Sequence, residues 1–227
     1  MTSYQKLLYY YRECFSLVDV FHYNSKVTYD TYLKFIKPRS SIVLPITHNG
    51  IRDHRKEITY DAQSPLRIGF VGNTAPYKGL PKLIEALESL NVNEKWRLDV
   101  WGSFVGQEKV LPIYYRGNFD QQTIEMVYST MDVMVVPSQW HETFSLVTLE
   151  ALSYGVPAIV SDTVGAKDIV AEYNPRFVYE SQDDLVTLLR ELIYDRKLLK
   201  EFNAKILGMK WKHSMKEHAQ EIIDKLY

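Results

Sequence analysis

Two carboxylates flank the start of an apolar helical segment in this sequence. Glu142 stands in the loop "VVPSQWHET", and Glu150 lies eight positions later in "FSLVTLEALSYG", a helix that Gly155 is expected to end. A carboxylate only accepts hydrogen bonds, and the vicinal hydroxyls of a sugar or ribose supply paired donors. Either glutamate alone could face solvent or complement the helix dipole. Together, in this position, they predict a site for a sugar or a ribose.

Backbone amides lie beside the first of these carboxylates. Thr143 or Ser145 is expected to cap the helix, which leaves the N–H groups of Phe144, Ser145 and Leu146 close to Glu142. The N-terminus of a helix carries a partial positive charge and binds phosphate readily. We therefore expect an anionic or hydroxyl group of the ligand to meet these amides.

A second loop, "VGNTAPYKGL", has residues suited to phosphate. Gly72 permits a tight turn, Lys78 supplies a cation, and Gly79 opens the next helical segment. The alternative is that the glycines serve only the turn and that Lys78 is solvated. The loop matches neither the P-loop pattern nor the three-glycine dinucleotide pattern, which excludes those two classes of nucleotide site.

Alternating strand-like and helix-like segments must position these loops. Strands are predicted at 66–72, 96–102, 112–117, 132–138, 157–162 and 176–180. Helices are predicted at 80–90, 121–130, 146–155 and 183–195. This alternation indicates an α/β domain over 66–195, with a doubly wound parallel sheet covered on both faces. In such a sheet ligands bind beyond the carboxyl ends of the strands, where both loops fall.

Three segments lie outside this domain. Residues 1–46 show a helix–strand–helix–strand pattern with too few strands for an independent sheet, and the polar segment 47–65 indicates a linker. Residues 196–227 form one or two helices in which basic residues outnumber acidic ones. This end could touch an anionic membrane surface, but the interspersed acidic residues favour a solvated helix face.

Composition and charge exclude other classes of protein. The 227 residues are 46% hydrophobic and 24% charged, and a net charge of −1 argues against a nucleic-acid partner. No apolar run is long enough for a membrane span, and Cys14 is the single cysteine. We expect a cytoplasmic protein, with a peripheral position at the inner face of the membrane left open. Metal-ligand spacing is absent from the sequence, so no metal or other cofactor is expected.

The stretch "HETFSLVTLEALSYGVPAIVSD" resembles the paired-glutamate motif of the retaining glycosyltransferases of family 4, which have the two-domain GT-B fold. The similarity covers residues 66 to 180 and includes "VGNTAPYKGL", "YYRGNFDQQTIEMVYSTMDVMVVPS" and the small-residue stretch "SDTVGAKDIV", which is expected to be a loop. Trp211 also matches, since the family often has a tryptophan near the start of its final helix. The chain thus resembles the Rossmann-like, C-terminal half of a GT-B fold, and residues 1–46 resemble a remnant of the N-terminal acceptor domain.

The resemblance implies a role for each matching residue. Glu142 would contact hydroxyls of the donor sugar, Glu150 would hold the ribose, and Lys78 would neutralise the diphosphate leaving group. The amides at the start of the helix would meet the diphosphate or the sugar. The base would lie at the strand edge, beside Tyr115 or Arg116. Glu142 and Lys78 are therefore the residues expected to serve catalysis.

Two positions depart from the family pattern. Asn73 stands where an arginine is usual, and one lost charge-assisted contact removes about 1–3 kcal/mol of binding. Either Lys78 carries the diphosphate alone, or Arg116 or Lys167 compensates. Ser145 stands where a glycine is usual, which could narrow the approach of the sugar while adding a hydroxyl.

The activity that the resemblance implies is transfer of a sugar from a UDP- or GDP-linked donor to a glycan or lipid-linked acceptor in surface polysaccharide synthesis. In a retaining displacement the leaving phosphate takes the proton of the acceptor, so His141 is interpreted as structural. Residues 1–46 have no room for an acceptor domain, and we expect the chain alone to transfer no sugar. Two alternatives stay open: a non-catalytic nucleotide-sugar-binding module, and an epimerase of the same architecture, against which the paired glutamates argue.

Overall fold

The computed structural model describes residues 2–103 and 112–226, and the described chain contains two parallel sheets. The smaller sheet pairs β1 (Phe21–Tyr23) with β2 (Ser41–Val43). The larger sheet consists of β3 (Leu66–Val71), β4 (Trp96–Trp101), β5 (Ile113–Gly117), β6 (Val133–Val136), β7 (Ala158–Ser161) and β8 (Val178–Tyr179). The helices are α1 (Ser3–Ser16), α2 (Lys26–Leu33), α3 (Leu80–Glu88), α4 (Ile124–Ser129), α5 (Leu146–Ser153), α6 (Lys167–Tyr173), α7 (Gln182–Tyr194), α8 (Lys197–Gly208) and α9 (Met215–Leu226).

The order of the strands in the larger sheet places the functional loops. The strands run parallel in the order β5-β4-β3-β6-β7-β8. Numbered from β3, this is the order 3-2-1-4-5-6 of a Rossmann-type doubly wound sheet. The direction of strand addition reverses between β3 and β6, where Ile68 is in register with Val133. The loops after these two strands therefore border the crevice in which such folds bind ligands.

Near-continuous apolar strands explain why both faces of the sheet are covered. Every residue of β6 and β7 is buried, and all but one residue are buried in both β3 and β4. The neighbouring helices have the complementary pattern, and α3 packs against α7. The buried residues of α3 recur at helical spacing: Leu80, Leu83, Ala86 and Leu87. The predicted α/β doubly wound domain is confirmed, with each predicted strand present and shorter at its ends.

The N-terminal part forms a small unit of its own, in the predicted helix–strand–helix–strand order. α1 begins with a capping box between Thr2 and Gln5. Within the described chain, however, α1 has no buried residue. Its most exposed tyrosines, each at least 60% accessible, are Tyr4, Tyr9 and Tyr10. This helix therefore presents a tyrosine-rich surface to solvent.

The segment 47–65 lies against the large domain along its length. It has neither helix nor strand in the described structure, but Ile51 and Tyr60 are buried in the hydrophobic core. Arg55 donates from Nη1 to the carbonyl of Met209 at 2.7 Å, which fixes the segment to the C-terminal helices. Isolated apolar residues in a polar stretch have no periodicity, so the sequence did not indicate this packing.

The C-terminal half has two features that the sequence predicted only in part. The small-residue stretch "SDTVGAKDIV" was expected to be a loop, but α6 begins within it, and Ile169 and Val170 are buried. α9 begins at Met215, and the buried Trp211 precedes it with its ring centre 5.4 Å from the guanidinium carbon of Arg55. None of the helices in the described ranges is long and apolar enough to cross a membrane.

Candidate functional site

A cavity of about 320 Å³ lies between the ends of β3 and β6. It is bordered by the loop after each strand, by the start of α5, and by Ile46. Eight of the predicted donor-site residues line it: Gly72, Asn73, Lys78, Glu142, Thr143, Phe144, Ser145 and Leu146. The fold thus brings the two predicted ligand-binding loops into one site at the switch point of the sheet.

Lys78 and Glu142 contact each other in this cavity. The Nζ atom of Lys78 lies 2.8 Å from Oε1 of Glu142, and the two side chains are 30% and 14% exposed. The hydroxyl of Ser138 donates to the same carboxylate oxygen. Solvent and salt screen a partly buried pair less than an exposed one, so this ion pair holds the ammonium and the carboxylate side by side at the wall of the cavity. The two residues predicted to serve catalysis therefore share one site.

A glycine allows the two loops to approach each other. Gly79 has a φ of 79°, and a Cβ atom at this position would lie 1.7 Å from the carbonyl oxygen of Pro137. The backbone N–H of Gln139 also donates to the carbonyl of Tyr77 at 2.8 Å. A residue with a side chain would meet both the unfavourable φ and the clash. This backbone contact sets Lys78 opposite Glu142.

The loop that carries Glu142 is fixed from the other side by the loop after β7. The N–H of Glu142 donates to the carbonyl of Thr163 at 3.0 Å, and its carbonyl accepts from the N–H of Gly165 at 3.0 Å. The carbonyl of Phe144 accepts from the N–H of Ala166 at 2.6 Å. These backbone bonds make a short strand-like bridge. The position of the Glu142 carboxylate is thus set by main-chain contacts on both sides.

The start of α5 differs from the predicted cap. Ser145 occupies the N-cap position with φ 87° and ψ 83°, in the left-handed region that favours glycine. Its hydroxyl lies 3.0 Å from the hydroxyl of Thr148, and it caps no amide of the described helix. The first amides of an α-helix have no partner within the helix. The amides at Ser145 and Leu146 therefore begin the helix at the wall of the cavity.

The N-terminal unit supports this loop through a contact that the sequence did not reveal. Ser25 donates from Oγ to the carbonyl of Thr143 at 2.6 Å, and Thr28 donates to the same oxygen at 3.0 Å. A Cβ atom on Gly165 would lie 2.2 Å from that oxygen and 2.6 Å from Ser25 Oγ. The residues in contact are more than a hundred positions apart, so no local motif could have indicated them.

Glu150 lies two turns into α5, and its carboxylate contacts two protein donors. Oε1 is 3.1 Å from Nε2 of His48, and Oε2 accepts from the hydroxyl of Tyr128 at 2.8 Å. The Glu150 side chain is 12% exposed. Burial, followed by the charge of Glu150, raises the pKa of the Tyr128 phenol well above its usual value. The sequence did not predict the contact of His48 or Tyr128 with Glu150, because an individual histidine or tyrosine belongs to no recognisable motif.

The two residues predicted to lie beside the base are on β5. The guanidinium of Arg116 lies 2.6 Å from the buried carboxylate of Asp99. Tyr115 is in register with Val100 of β4, and partial burial raises the pKa of its phenol. Arg97 pairs with the same carboxylate at 3.0 Å, so Asp99 is shared by two arginines. Arg116 is not among the residues that line the cavity, and the structure therefore gives it no contact that would replace the arginine usual in the family.

Asn73 and Lys167, which could also lie near a diphosphate, have protein contacts of their own. Asn73 accepts the N–H of Ala75 at 3.1 Å through Oδ1, which closes a small turn. Lys167 donates from Nζ to the carbonyl of Asp162 at 2.7 Å. Among the described residues no group of three or more His, Cys, Asp or Glu side chains could hold a metal ion. His141, interpreted as structural, is exposed in the loop beside Glu142.

Comparison with known proteins gives a family and several relatives. The model of the glycosyl transferases group 1 family matches residues 52–207. The chain is 34% identical over 124 residues to a GDP-mannose-dependent alpha-mannosyltransferase of Mycolicibacterium smegmatis, covering 53% of this chain and 32% of the relative. It is 29% identical over 172 residues to a sulfoquinovosyl transferase of Arabidopsis thaliana, covering 71% and 28%. The chain thus matches about a third or less of the length of these relatives.

Solved structures show the same fold. Anabaena HepE, in complex with UDP and glucose, is similar with a TM-score of 0.77 at 15% identity, covering 98% of this chain and 67% of that chain. The sucrose-phosphate synthase from Thermosynechococcus elongatus has a TM-score of 0.70 at 19% identity, covering 97% and 60%. The expected Rossmann-like, C-terminal half of a GT-B fold is confirmed. Because the family model covers more than half of its residues, the chain belongs to the glycosyl transferases group 1 family.

Proposed function

We propose that this chain is the donor-binding part of a retaining glycosyltransferase. Its substrate is a UDP- or GDP-linked sugar, and its acceptor is a glycan or lipid-linked molecule of surface polysaccharide synthesis. The observation that carries this proposal is the contact between Lys78 and Glu142 in the cavity at the switch point of the sheet. The cavity volume is at the lower end of the range for small-molecule sites. A cation, a carboxylate and the start of a helix suit a diphosphate joined to a sugar.

The charges of the site fit the two ends of such a donor. The ammonium group of Lys78 has three donors, of which Glu142 takes one, so phosphate oxygens can accept the others. Amides at the start of α5 add dipolar attraction for the same anion. The carboxylate of Glu142 still has lone pairs for sugar hydroxyls. The diphosphate is thus proposed to lie between Lys78 and α5, with the sugar beside Glu142.

The proposed reaction needs a stabilised leaving group. The bond between the anomeric carbon and the diphosphate oxygen breaks, and a bond to the acceptor oxygen forms on the same face of the sugar. The proton of the acceptor hydroxyl passes to the departing phosphate oxygen. Lys78 stabilises the negative charge that develops on the diphosphate, which is the kind of electrostatic stabilisation that lowers barriers most. No side chain is required as a general base.

The comparisons support a nucleotide-linked donor without choosing its base. One relative is named as GDP-mannose-dependent, and one solved structure of similar fold contains UDP and glucose. The acceptor is proposed to bind on an N-terminal domain of which residues 1–46 form the last part. A peripheral position at the inner face of the membrane would bring the site to a lipid-linked acceptor.

Thermal unfolding of the chain with nucleotides tests this proposal. UDP and GDP are compared with uridine and guanosine, which lack the diphosphate. One of the two diphosphates should raise the unfolding free energy by about 2.7 kcal/mol at a hundred times its Kd. The nucleosides should shift the unfolding transition far less at the same concentration, because they lack the phosphate groups that would contact Lys78. Absence of stabilisation by UDP and by GDP would refute donor binding.

A further inference from the structure

The segment that joins the small N-terminal unit to the large domain passes beside Glu150. His48 lies in this segment, and its side chain is 34% exposed while that of Glu150 is 12% exposed. The Nε2 atom of His48 is 3.1 Å from Oε1 of Glu150. Glu150, the residue that the family resemblance assigns to the ribose, is therefore in contact with a residue outside the Rossmann-like domain.

The hydrogen bonds of the ring determine which nitrogen carries the proton. The N–H of Gly50 donates to Nδ1 of His48 at 3.0 Å, so Nδ1 is the acceptor of the ring. In the neutral imidazole the proton then resides on Nε2, which donates to Glu150. A Cβ atom on Gly50 would lie 2.8 Å from Cε1 of His48, so the ring folds closely over this glycine. The turn at Gly50 and the direction of the Nε2–H bond are thus linked.

Tyr128 holds the other oxygen of the same carboxylate. Its hydroxyl donates to Oε2 at 2.8 Å, and the tyrosine is buried. Its ring stacks on that of Tyr154, with centroids 5.2 Å apart, and Tyr154 stacks on His54 at 4.9 Å. This column of rings fixes the phenol in one orientation. Each oxygen of Glu150 therefore has one protein donor.

We propose that His48 is a positioning residue for the ribose: with Tyr128 it orients the Glu150 carboxylate so that each oxygen keeps one lone pair for a hydroxyl of a vicinal diol. Each carboxylate oxygen has about two acceptor sites. One is occupied by a protein donor, and the second is left for the ligand. This inference rests on the proposed function and on the role that the family resemblance implies for Glu150, which is contact with the ribose of the donor.

Two substitutions separate the two hydrogen bonds of the ring. In His48→Asn the side-chain oxygen takes the place of Nδ1 and can accept from Gly50, but the bond to Glu150 is lost. In His48→Gln the amide nitrogen takes the place of Nε2 and can donate to Glu150, but the bond from Gly50 is lost. If His48 served only the turn, His48→Asn would be the milder change. If it positions Glu150, His48→Gln is the milder change.

Calorimetric titration of the 227-residue chain with UDP and GDP provides the main test. For the diphosphate that binds the wild type, His48→Asn should raise the Kd roughly five- to tenfold, and His48→Gln should stay within about twofold of the wild type. The 2′,3′-dideoxy form of the same diphosphate should bind wild type and His48→Asn equally, because it has no diol for Glu150. Thermal unfolding without ligand shows whether each variant is folded.

The possible outcomes are distinct. A His48→Asn variant that binds the ribonucleotide as tightly as the wild type would overturn the proposal. An equal increase in the Kd of His48→Asn for the dideoxynucleotide would also overturn it. A wild-type chain that binds neither UDP nor GDP would refute the donor-binding function and this inference together. A long-range ¹H–¹⁵N spectrum of the ligand-free chain gives a separate check. It should show His48 with its proton on Nε2, and a proton on Nδ1 would contradict the geometry.

Discussion

Replacement of Lys78 by alanine is the sharpest test of the site. Lys78 is the cation that lines the cavity in the described structure, where neither Arg116 nor Lys167 borders it. Asn73 occupies the position at which a second cation is usual. The diphosphate should therefore depend on Lys78 more than it would in a site with two cations. We expect Lys78→Ala to weaken binding of nucleoside diphosphate strongly and binding of the free nucleoside hardly at all.

The size of the effect follows from the contacts of the side chain. A hydrogen bond to a charged group contributes about 1.5–3 kcal/mol, which corresponds to a roughly 10- to 150-fold change in Kd. Lys78 is 30% exposed, so solvent weakens the attraction, which favours the lower part of this range. The substitution also removes the partner of Glu142, whose negative charge then faces the diphosphate unopposed. This repulsion also weakens binding, and we expect the Kd for the diphosphate to rise roughly 30-fold.

Isothermal titration calorimetry of the wild type and two variants measures the effect. Lys82→Ala is the matched control, because it removes the same charge from the neighbouring α3, where Lys82 pairs with Glu85 at 2.8 Å on the surface. Lys82→Ala should leave the Kd for the diphosphate within about twofold. Titration at two salt concentrations separates a direct contact from a general effect of net charge. EDTA should change none of these values.

Three results would refute this reasoning. Equal losses of affinity for the diphosphate in Lys78→Ala and Lys82→Ala would show that the net charge of the protein matters and that a direct contact with Lys78 does not. A similar loss for the nucleoside would place Lys78 away from the diphosphate. A clear requirement for a divalent cation would show that a metal ion, and not Lys78, carries the leaving group.

Three further predictions concern the two glutamates, a buried histidine and the activity of the chain. Glu150→Gln should weaken binding of a nucleoside diphosphate more than Glu142→Gln, because this ligand has a ribose but no transferred sugar; equal losses in calorimetry would contradict that division. Burial lowers the pKa of His213 to about 4, so below the ordinary value of 6.5 the unfolded chain binds a proton that the native state does not. Stability should then fall by up to about 3 kcal/mol between pH 6.5 and 4, and His213→Asn should flatten this part of a urea-unfolding profile, whereas an unchanged slope would assign it to other groups. Finally, the 227-residue chain should bind nucleotide yet show no detectable transfer to an oligosaccharide or lipid-linked acceptor. Alignment of both substrates provides about 7–11 kcal/mol of the rate acceleration, and residues 1–46 form only part of the domain proposed to hold the acceptor. Ordinary enzyme turnover by this chain would disprove that prediction.

The features that could be predicted from the sequence are those with a local pattern. Apolar strands alternating with helical segments indicated the six-strand sheet, and the carboxyl ends of parallel strands meet at one edge. That rule also places the loops of Lys78 and Glu142 at the same edge, whereas the contact between their side chains is found only in the structure. α6 was not predicted, because Gly165 and its small neighbours are typical of a loop, although the helix begins just after them.

The features that could not be predicted depend on contacts between distant residues. Ser25 and Thr28 meet the carbonyl of Thr143 because the small unit packs on the large domain, and neither residue has a pattern that marks this role. The same is true of His48, one of two histidines in the polar segment 47–65. Such contacts are selected by tertiary packing, which overrides the local preferences that a single sequence displays.

The order of the strands also bears on how the protein folds. β3 and β4 are separated by one helix, whereas the pairing of Ile68 with Val133 joins β3 to a strand that comes much later in the chain. Closing so long a loop costs more entropy, and non-local parallel pairing is slow. We therefore expect β3, β4 and β5 to associate first during synthesis, with β6 added afterwards. The cavity exists only after that step, so a nucleotide ligand would stabilise only those chains in which the two halves of the sheet have joined.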